Sequence, residues 1–256
     1  MNFAALIGVE IRKLRRSFIL PLLLAPVVLM WIPSILNADI NFDTGSFSIS
    51  AEHNFFIQGF MGMVWLMIPA TLVVCTVLLS QTELSGRGIT KMLSLPLSPA
   101  RLSLAKFTVL ILLFALQMVM LTAAYYLSAS LASRLQNYSF LLPPGEVLPV
   151  TAKIFLSALP VAALYWLLSV LIQTPVFAVG AGLASIVPSV LMINTRFWFL
   201  YPPSYPFYVV MVEYGRRAEG IYSTQYDLFP WLPAAAAFTI LSLGLACLKF
   251  GYAERN

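Results

Sequence analysis

Residues Phe107–Ala132 read FTVLILLFALQMVMLTAAYYLSASLA, 26 positions without a charged side chain. A helix crosses the hydrocarbon core of a bilayer with about 20 mostly apolar residues, so this stretch is long enough to span it. Comparable runs lie at Phe18–Leu36 and Phe56–Ser80 before it, and at Ala152–Ile172, Pro175–Ile193 and Leu228–Phe250 after it. The pattern predicts an all-α membrane protein with six transmembrane helices. Composition agrees, because 60% of the 256 residues are hydrophobic and only 10% are charged, against about 25% in soluble domains. Only Gln173 and Thr174 separate the fourth and fifth runs, which predicts a tight hairpin with Pro175 opening the next helix. Pro69, Pro160 and Pro188 fall inside spans and are candidate kinks.

Net charge is +5, but the basic residues cluster beside apolar runs, the pattern that orients membrane proteins rather than one that reads nucleic acid. With the N-terminus inside, the inner side carries Arg12, Lys13, Arg15, Arg16, Arg87, Lys91, Arg101, Lys106, Lys249 and Arg255, and the outer side Arg134, Lys153, Arg196, Arg216 and Arg217. This ten-to-five split predicts a multi-pass protein of the cell membrane with both termini cytoplasmic. Lys153, at the start of the fourth span, is expected to snorkel toward the headgroups. The first span exceeds the 7–15 residues of a signal-peptide core, so a retained first helix is expected.

Three segments stand out from the spans. Residues 1–17 place Phe3, Ile7, Ile11, Leu14 and Phe18 at three- and four-residue spacing, with Arg12, Arg15 and Arg16 projecting elsewhere and Lys13 beside them. This predicts an amphipathic helix lying in the inner interface. The connection 81–106, within QTELSGRGITKMLSLPLSPARLSLAKF at 81–107, is polar, basic and longer than geometry requires. Thr90–Leu95 is expected to form a short helix ended by Pro96, after which Ser98 caps a helix with Pro99 at its first position. A short helix projecting from the membrane suits docking in a groove of a cytoplasmic partner; an ordinary solvated loop is the competing reading. The third segment, 195–227, is dense in aromatic residues, including Tyr201, Tyr205 and Tyr208. An interfacial aromatic belt is one reading. The other is a segment, Tyr201–Met211, that folds back into the outer leaflet and closes an exit path. The division is therefore 1–17 interfacial helix, 18–250 six-span domain and 251–256 cytoplasmic tail.

The second segment carries a resemblance. Glu83 after span two, Gly88, Lys91, Met92, Leu93, Leu95, Pro96 and the later Lys106 resemble the pattern of the ABC-2 type of ABC-transporter permease, and the basic N-terminus and six spans are similar to that family. The spacing from Gly88 to Pro96 is similar to the branch of lantibiotic-immunity and bacitracin-resistance permeases, although Ile89 stands where that branch often has an aromatic residue. The resemblance implies a permease subunit of an ATP-driven exporter moving an amphipathic or hydrophobic substrate, with an antimicrobial peptide as the cargo the branch implies. It implies that 81–106 is the coupling element, with Glu83, Lys91 and Arg101 meeting a cytoplasmic ATP-binding subunit. The interfacial helix would also touch that subunit, and a second permease copy or relative would complete the path. ATP and magnesium would sit on the partner, with no cofactor or metal on this chain.

Other chemistry is poorly provided for. The sequence has no G-x-x-x-x-G-K-[ST] phosphate loop, and Gly180-Ala181-Gly182 lies within an apolar run with no preceding strand. The single histidine, His53, reads as a solvated loop residue. No acid lies mid-span, which argues against an ion-coupled pump, and the convergent acids and histidines of a lipid-modifying enzyme are missing. Cys75 and Cys247 lie in apolar runs and behave as small hydrophobes. Gly59, Gly62 and the Gly180–Ala184 pair are candidates for close helix approach, and Gln117 is the deepest amide. A non-transporting membrane sensor or scaffold is the alternative function.

Overall fold

The computed structural model describes residues 2–14, 17–43, 48–84, 98–218 and 224–252, with the backbone alone at 82–84 and 251–252. Every regular element among them is helical. Helix α1 (Phe3–Leu14) precedes α2 (Ile19–Leu36), α3 (Ala51–Gly62) continues through a π-turn at Met63–Met67 into α4 (Ile68–Leu84), and α5 is Pro99–Gln136. Helix α6 (Pro144–Leu171) is followed by α7 (Pro175–Ala184), α8 (Val187–Met192), α9 (Tyr205–Arg217) and α10 (Leu228–Tyr252). Six stretches are long and apolar enough to cross a membrane: Ile19–Leu36, Ala51–Gln81, Pro99–Gln136, Pro144–Leu171, Pro175–Met192 and Leu228–Phe250. All six apolar runs fall on these stretches, and the protein is an all-α membrane protein.

Proline marks where helices begin. Pro99, Pro144, Pro175, Pro188 and Pro206 stand in the first positions of α5 to α9, where the missing N–H costs nothing and the fixed φ suits a helix. Ser98 occupies the N-cap position of α5, but its hydroxyl makes no capping hydrogen bond. The three mid-span prolines differ in outcome. Pro188 follows the break between α7 and α8, Pro69 follows the π-turn, and Pro160 lies inside an uninterrupted α6. Helix α5 ends at Asn137, whose φ of 52° is left-handed, a conformation asparagine tolerates at helix ends. Its 38 residues span about 57 Å at 1.5 Å per residue, well beyond the hydrocarbon core.

Helix α6 is the centre of the bundle. It packs against α4, α5, α9 and α10, and about two-thirds of its apolar stretch is buried. By contrast α2, the α7–α8 pair and α10 form the periphery, turning Leu29, Val176, Phe177, Leu191 and Ile240 outward. In a bilayer such side chains meet lipid tails. Close approach is set by particular glycines. A Cβ on Gly59 would stand 2.5 Å from the Trp31 ring, and one on Gly62 would stand 2.3 Å from Met30 Cε. These two positions let α2 lie against α3. In α7 the close contact belongs to Gly182, whose Cβ would meet Val73 at 2.6 Å, while Gly180 has open space. Gln117 is buried and donates to Thr71 Oγ1 on α4 at 3.2 Å.

Candidate functional site

At the end of the bundle that carries α1, one lysine joins three elements. Lys106, on the second turn of α5, is fully buried, and its ammonium lies 2.7 Å from Glu10 Oε2 on α1. The same ammonium donates to the Leu79 carbonyl of α4 at 3.0 Å. Glu10, 1% exposed, also holds Lys13 Nζ at 2.6 Å. Isolated charges cannot be buried at tolerable cost, but a paired and hydrogen-bonded lysine can. The consequence is mechanical: α4 and α5 flank residues 85–97, and Lys106 pins both, together with α1.

Helix α1 is seated by this bond rather than by the stripe read from spacing. Its buried face is Leu6, Glu10 and Leu14, whereas Phe3 and Ile11 are exposed and Ile7 is half-buried. An acid at the centre of an i, i+4, i+8 row is the signal that the apolar count passed over. The exposed stripe and the exposed Arg12 suit a helix with lipid on one side, as an interfacial helix requires.

At the opposite end a second charged cluster surrounds Glu213 on α9. Its carboxylate, 3% exposed, lies 2.7 Å from Lys153 Nζ on α6, 2.6 Å from Arg217 and 3.4 Å from Arg216. The Tyr226 hydroxyl donates to it at 2.6 Å. Burial alone would raise the pKa of Glu213, but hydrogen bonds from Lys153, Tyr226 and Arg217 and the Lys153 charge overcome it and hold the group at about 2. Lys153, its side chain still 39% exposed, directs its ammonium to this buried carboxylate. Both Lys153 and Arg216 also lie over the Tyr226 ring, 5.2 and 4.6 Å from its centre. The i+3 and i+4 spacing of Arg216 and Arg217 was the sequence signal for this site.

The aromatic segment folds against the bundle. Two single-turn 3₁₀ elements, Trp198–Leu200 and Pro202–Ser204, lead into α9, which packs on α6 and α3. Tyr205 and Tyr208 are buried, and Trp198 stacks on Tyr208 with ring centres 4.0 Å apart. The Tyr208 hydroxyl accepts from the Asp227 N–H at 2.8 Å. Tyr201 donates to the Ser185 carbonyl at the α7–α8 break. Ser185 Oγ donates to the Gly182 carbonyl at 2.6 Å and lies 3.1 Å from the Tyr165 hydroxyl. Side chains thus satisfy polar groups that a broken membrane helix would leave bare.

His53 is not in a loop. It lies on the first turn of α3, with Nε2 3.0 Å from Glu146 Oε2 on α6 and Nδ1 2.7 Å from Ser50 Oγ. That partner is 93 residues away in sequence, which is why spacing did not reveal it. Of the proposed coupling residues, Gly88, Lys91, Met92, Leu93, Leu95 and Pro96 lie outside the described residues, as do Arg15 and Arg16 of the first segment. Glu83 belongs to the last turn of α4, and Arg101 is exposed near the start of α5. Among the described residues no cluster of three or more His, Cys, Asp or Glu side chains could hold a metal.

A family model described as ABC-2 family transporter protein matches residues 6–212. The chain belongs to the ABC-2 family of transporter proteins. The match runs from within α1 through the first five spans into α9, most of the 256 residues, and ends before α10. No curated protein and no solved structure matches the chain. Family membership makes it a membrane permease subunit of an ABC transporter rather than an ATPase, and implies pairing with a cytoplasmic ATP-binding subunit.

Proposed function

We propose that this ABC-2 permease exports an amphipathic or hydrophobic substrate and that residues 81–106 receive the motion of a separate ATPase. The observation that supports this most is the Lys106 node. The flanks of 85–97 are held by one buried ammonium to each other and to α1. A push on that connection therefore moves α1, α4 and α5 together instead of bending a slack loop. Glu83, Gly88, Lys91, Met92, Leu93, Leu95, Pro96 and Arg101 form the docking element, and α1 lies in the cytoplasmic interface beside it. Both termini are cytoplasmic in this reading, in keeping with the excess of Lys and Arg at the α1 end.

A second permease copy or a relative completes the path, and ATP with magnesium is hydrolysed on the partner. Helix α9 and Tyr201, Tyr205 and Tyr208 form an exit gate on the outer side, latched by Glu213 to Lys153. Resemblance alone supports an antimicrobial peptide as cargo and membership of the lantibiotic-immunity and bacitracin-resistance branch. The test is a mild-detergent pull-down of the chain from its native membrane, followed by an ATPase assay on the eluate. A stoichiometric ATPase that is lost when Glu83 and Pro96 are replaced by Ala supports the coupling assignment. An eluate without nucleotide hydrolysis refutes it in favour of a sensor or scaffold.

A further inference from the structure

A cavity of about 590 Å³ opens between the last turn of α2, the 3₁₀ turn Ala38–Phe42 and the first turns of α3, at the end opposite α1. Its polar wall consists of Ser34, Asn37, Asn41, Asp43, Asn54 and Gln58, together with Tyr214 of α9. Asn37 Nδ2 donates to the Pro33 carbonyl at 3.1 Å, and Asn41 Nδ2 donates to the Ala38 carbonyl at 3.0 Å. A carbonyl can only accept, so each amide must turn its nitrogen to the backbone and its oxygen away. Gln58 Nε2 reaches Asn54 Oδ1 at 3.5 Å, which leaves Gln58 Oε1 available. Asn54 is 8% exposed, and its NH₂ has no hydrogen-bond partner among the described residues.

Such a wall offers mostly acceptors: three amide oxygens, the Ser34 hydroxyl oxygen, whose proton goes to the Met30 carbonyl at 3.1 Å, and the Asp43 carboxylate, the one charged side chain among the described lining residues; the Tyr214 hydroxyl can donate or accept. Pro33 and Ile40, both exposed, supply an apolar flank over the buried Phe55. We propose that this cavity binds the primary ammonium head of a cationic amphiphile, with its N–H donors on the amide oxygens and Asp43 and its tail along Ile40 and Pro33. This rests on the exporter reading and names the substrate class for it. A quaternary ammonium has the same charge but no donor, and a carboxylate has neither.

The test uses the full chain in lipid nanodiscs and titrates octylammonium, octyltrimethylammonium and octanoate by calorimetry. Octylammonium is expected to bind most tightly. Asp43→Asn and Gln58→Leu, both at exposed positions, should each weaken it by about tenfold or more, the size of one lost charged hydrogen bond. Asp39→Asn, on the same 3₁₀ turn but not lining the cavity, should leave binding unchanged. Equal binding of the two cations, or binding indifferent to Asp43→Asn, overturns the site. The same amines are then added to the permease reconstituted with its ATPase. Stimulation by octylammonium that Asp43→Asn abolishes supports cargo recognition. Tight binding without stimulation overturns the role as cargo, and stimulation untouched by Asp43→Asn overturns this cavity while leaving the exporter intact.

Discussion

Removing either partner of the Glu10–Lys106 pair should unfold the α1 end, and removing both should not. Lys106→Met leaves a carboxylate that is 1% exposed with Lys13 2.6 Å away. Glu10→Leu leaves a fully buried ammonium that still reaches the Leu79 carbonyl at 3.0 Å. Breaking a buried pair from one side costs about 3–5 kcal/mol, because a charge stays buried without its partner. Lys13 puts Lys106→Met at the lower end of that range, and the contacts that Lys106 keeps do the same for Glu10→Leu. At about 2–4 °C per kcal/mol for a chain of this size, the lysine variant should lose roughly 6–12 °C in melting temperature. Replacing both by apolar residues is often neutral, so Glu10→Leu with Lys106→Met should melt near the parent.

The assay pairs thermal unfolding of the permease in nanodiscs with ATP-driven transport by the reconstituted complex. The double variant is the informative one. It restores packing but lacks the ionic tie between α1 and the flanks of the coupling connection, so transport should stay low while melting recovers. Full transport in a stable double variant would show that the pair serves folding alone. Single variants that melt with the parent would refute the energetic argument itself.

Glu213 has a folded pKa held below the ordinary carboxylate value, so its contribution is fully present above about pH 4.5 and lost as pH falls toward about 2. Acid melting curves of the parent should show this loss only below about pH 4.5, and Glu213→Gln should be less stable at pH 7, by on the order of 3 kcal/mol. Gly59→Ala drives a methyl into the buried Trp31 ring and should cost about 1–3 kcal/mol in melting experiments. Gly62→Ala meets only the flexible end of Met30 and should cost less, and Gly180→Ala should be silent. Tyr201→Phe removes the donor to the Ser185 carbonyl and should lower stability by about 1 kcal/mol, measured the same way.

The spans were legible because membrane burial acts on whole stretches of about 20 residues, and Phe107–Ala132 satisfies it with no tertiary information. Helix starts were legible where proline marks them, as at Pro99 and Pro175. The hairpin at Gln173–Thr174 followed from the same logic. Charge partners were not. Glu10 meets Lys106 across 96 residues and His53 meets Glu146 across 93, and no local period carries such pairs. The stripe in the first segment marked the face of α1 that suits lipid but said nothing of its seat on the bundle, because counting apolar residues passes over a buried acid. In lipid they are free to face outward, and the buried row was organised by an acid. Gly180 and Gly182 stand about 200° apart around α7, and only the one that faces Val73 on α4 is crowded.

The two charged clusters stand at opposite ends of the bundle and share no residue, so motion must pass between them through packed helices. Trp166 on α6 donates its indole N–H to Ser103 Oγ at 3.0 Å, less than one turn from Lys106. From Trp166 to Lys153 along α6 is about 20 Å at 1.5 Å per residue, so a tilt of α5 transmitted at Ser103 reaches the Glu213 latch through one continuous helix. Coupling of this kind needs contiguous contacts that both ends bias. Ser103→Ala alone would leave a buried N–H unpaired, at about 1–3 kcal/mol, whereas Ser103→Ala with Trp166→Phe removes both partners and should be nearly neutral in stability. If α6 is the transmitting element, that double variant keeps its melting temperature and its ATPase partner yet loses several-fold in transport per ATP hydrolysed. Undiminished transport would send the motion elsewhere, through the α4–α7 contact at Val73 and Gly182, where a Gly182→Ala variant would then have to show the loss.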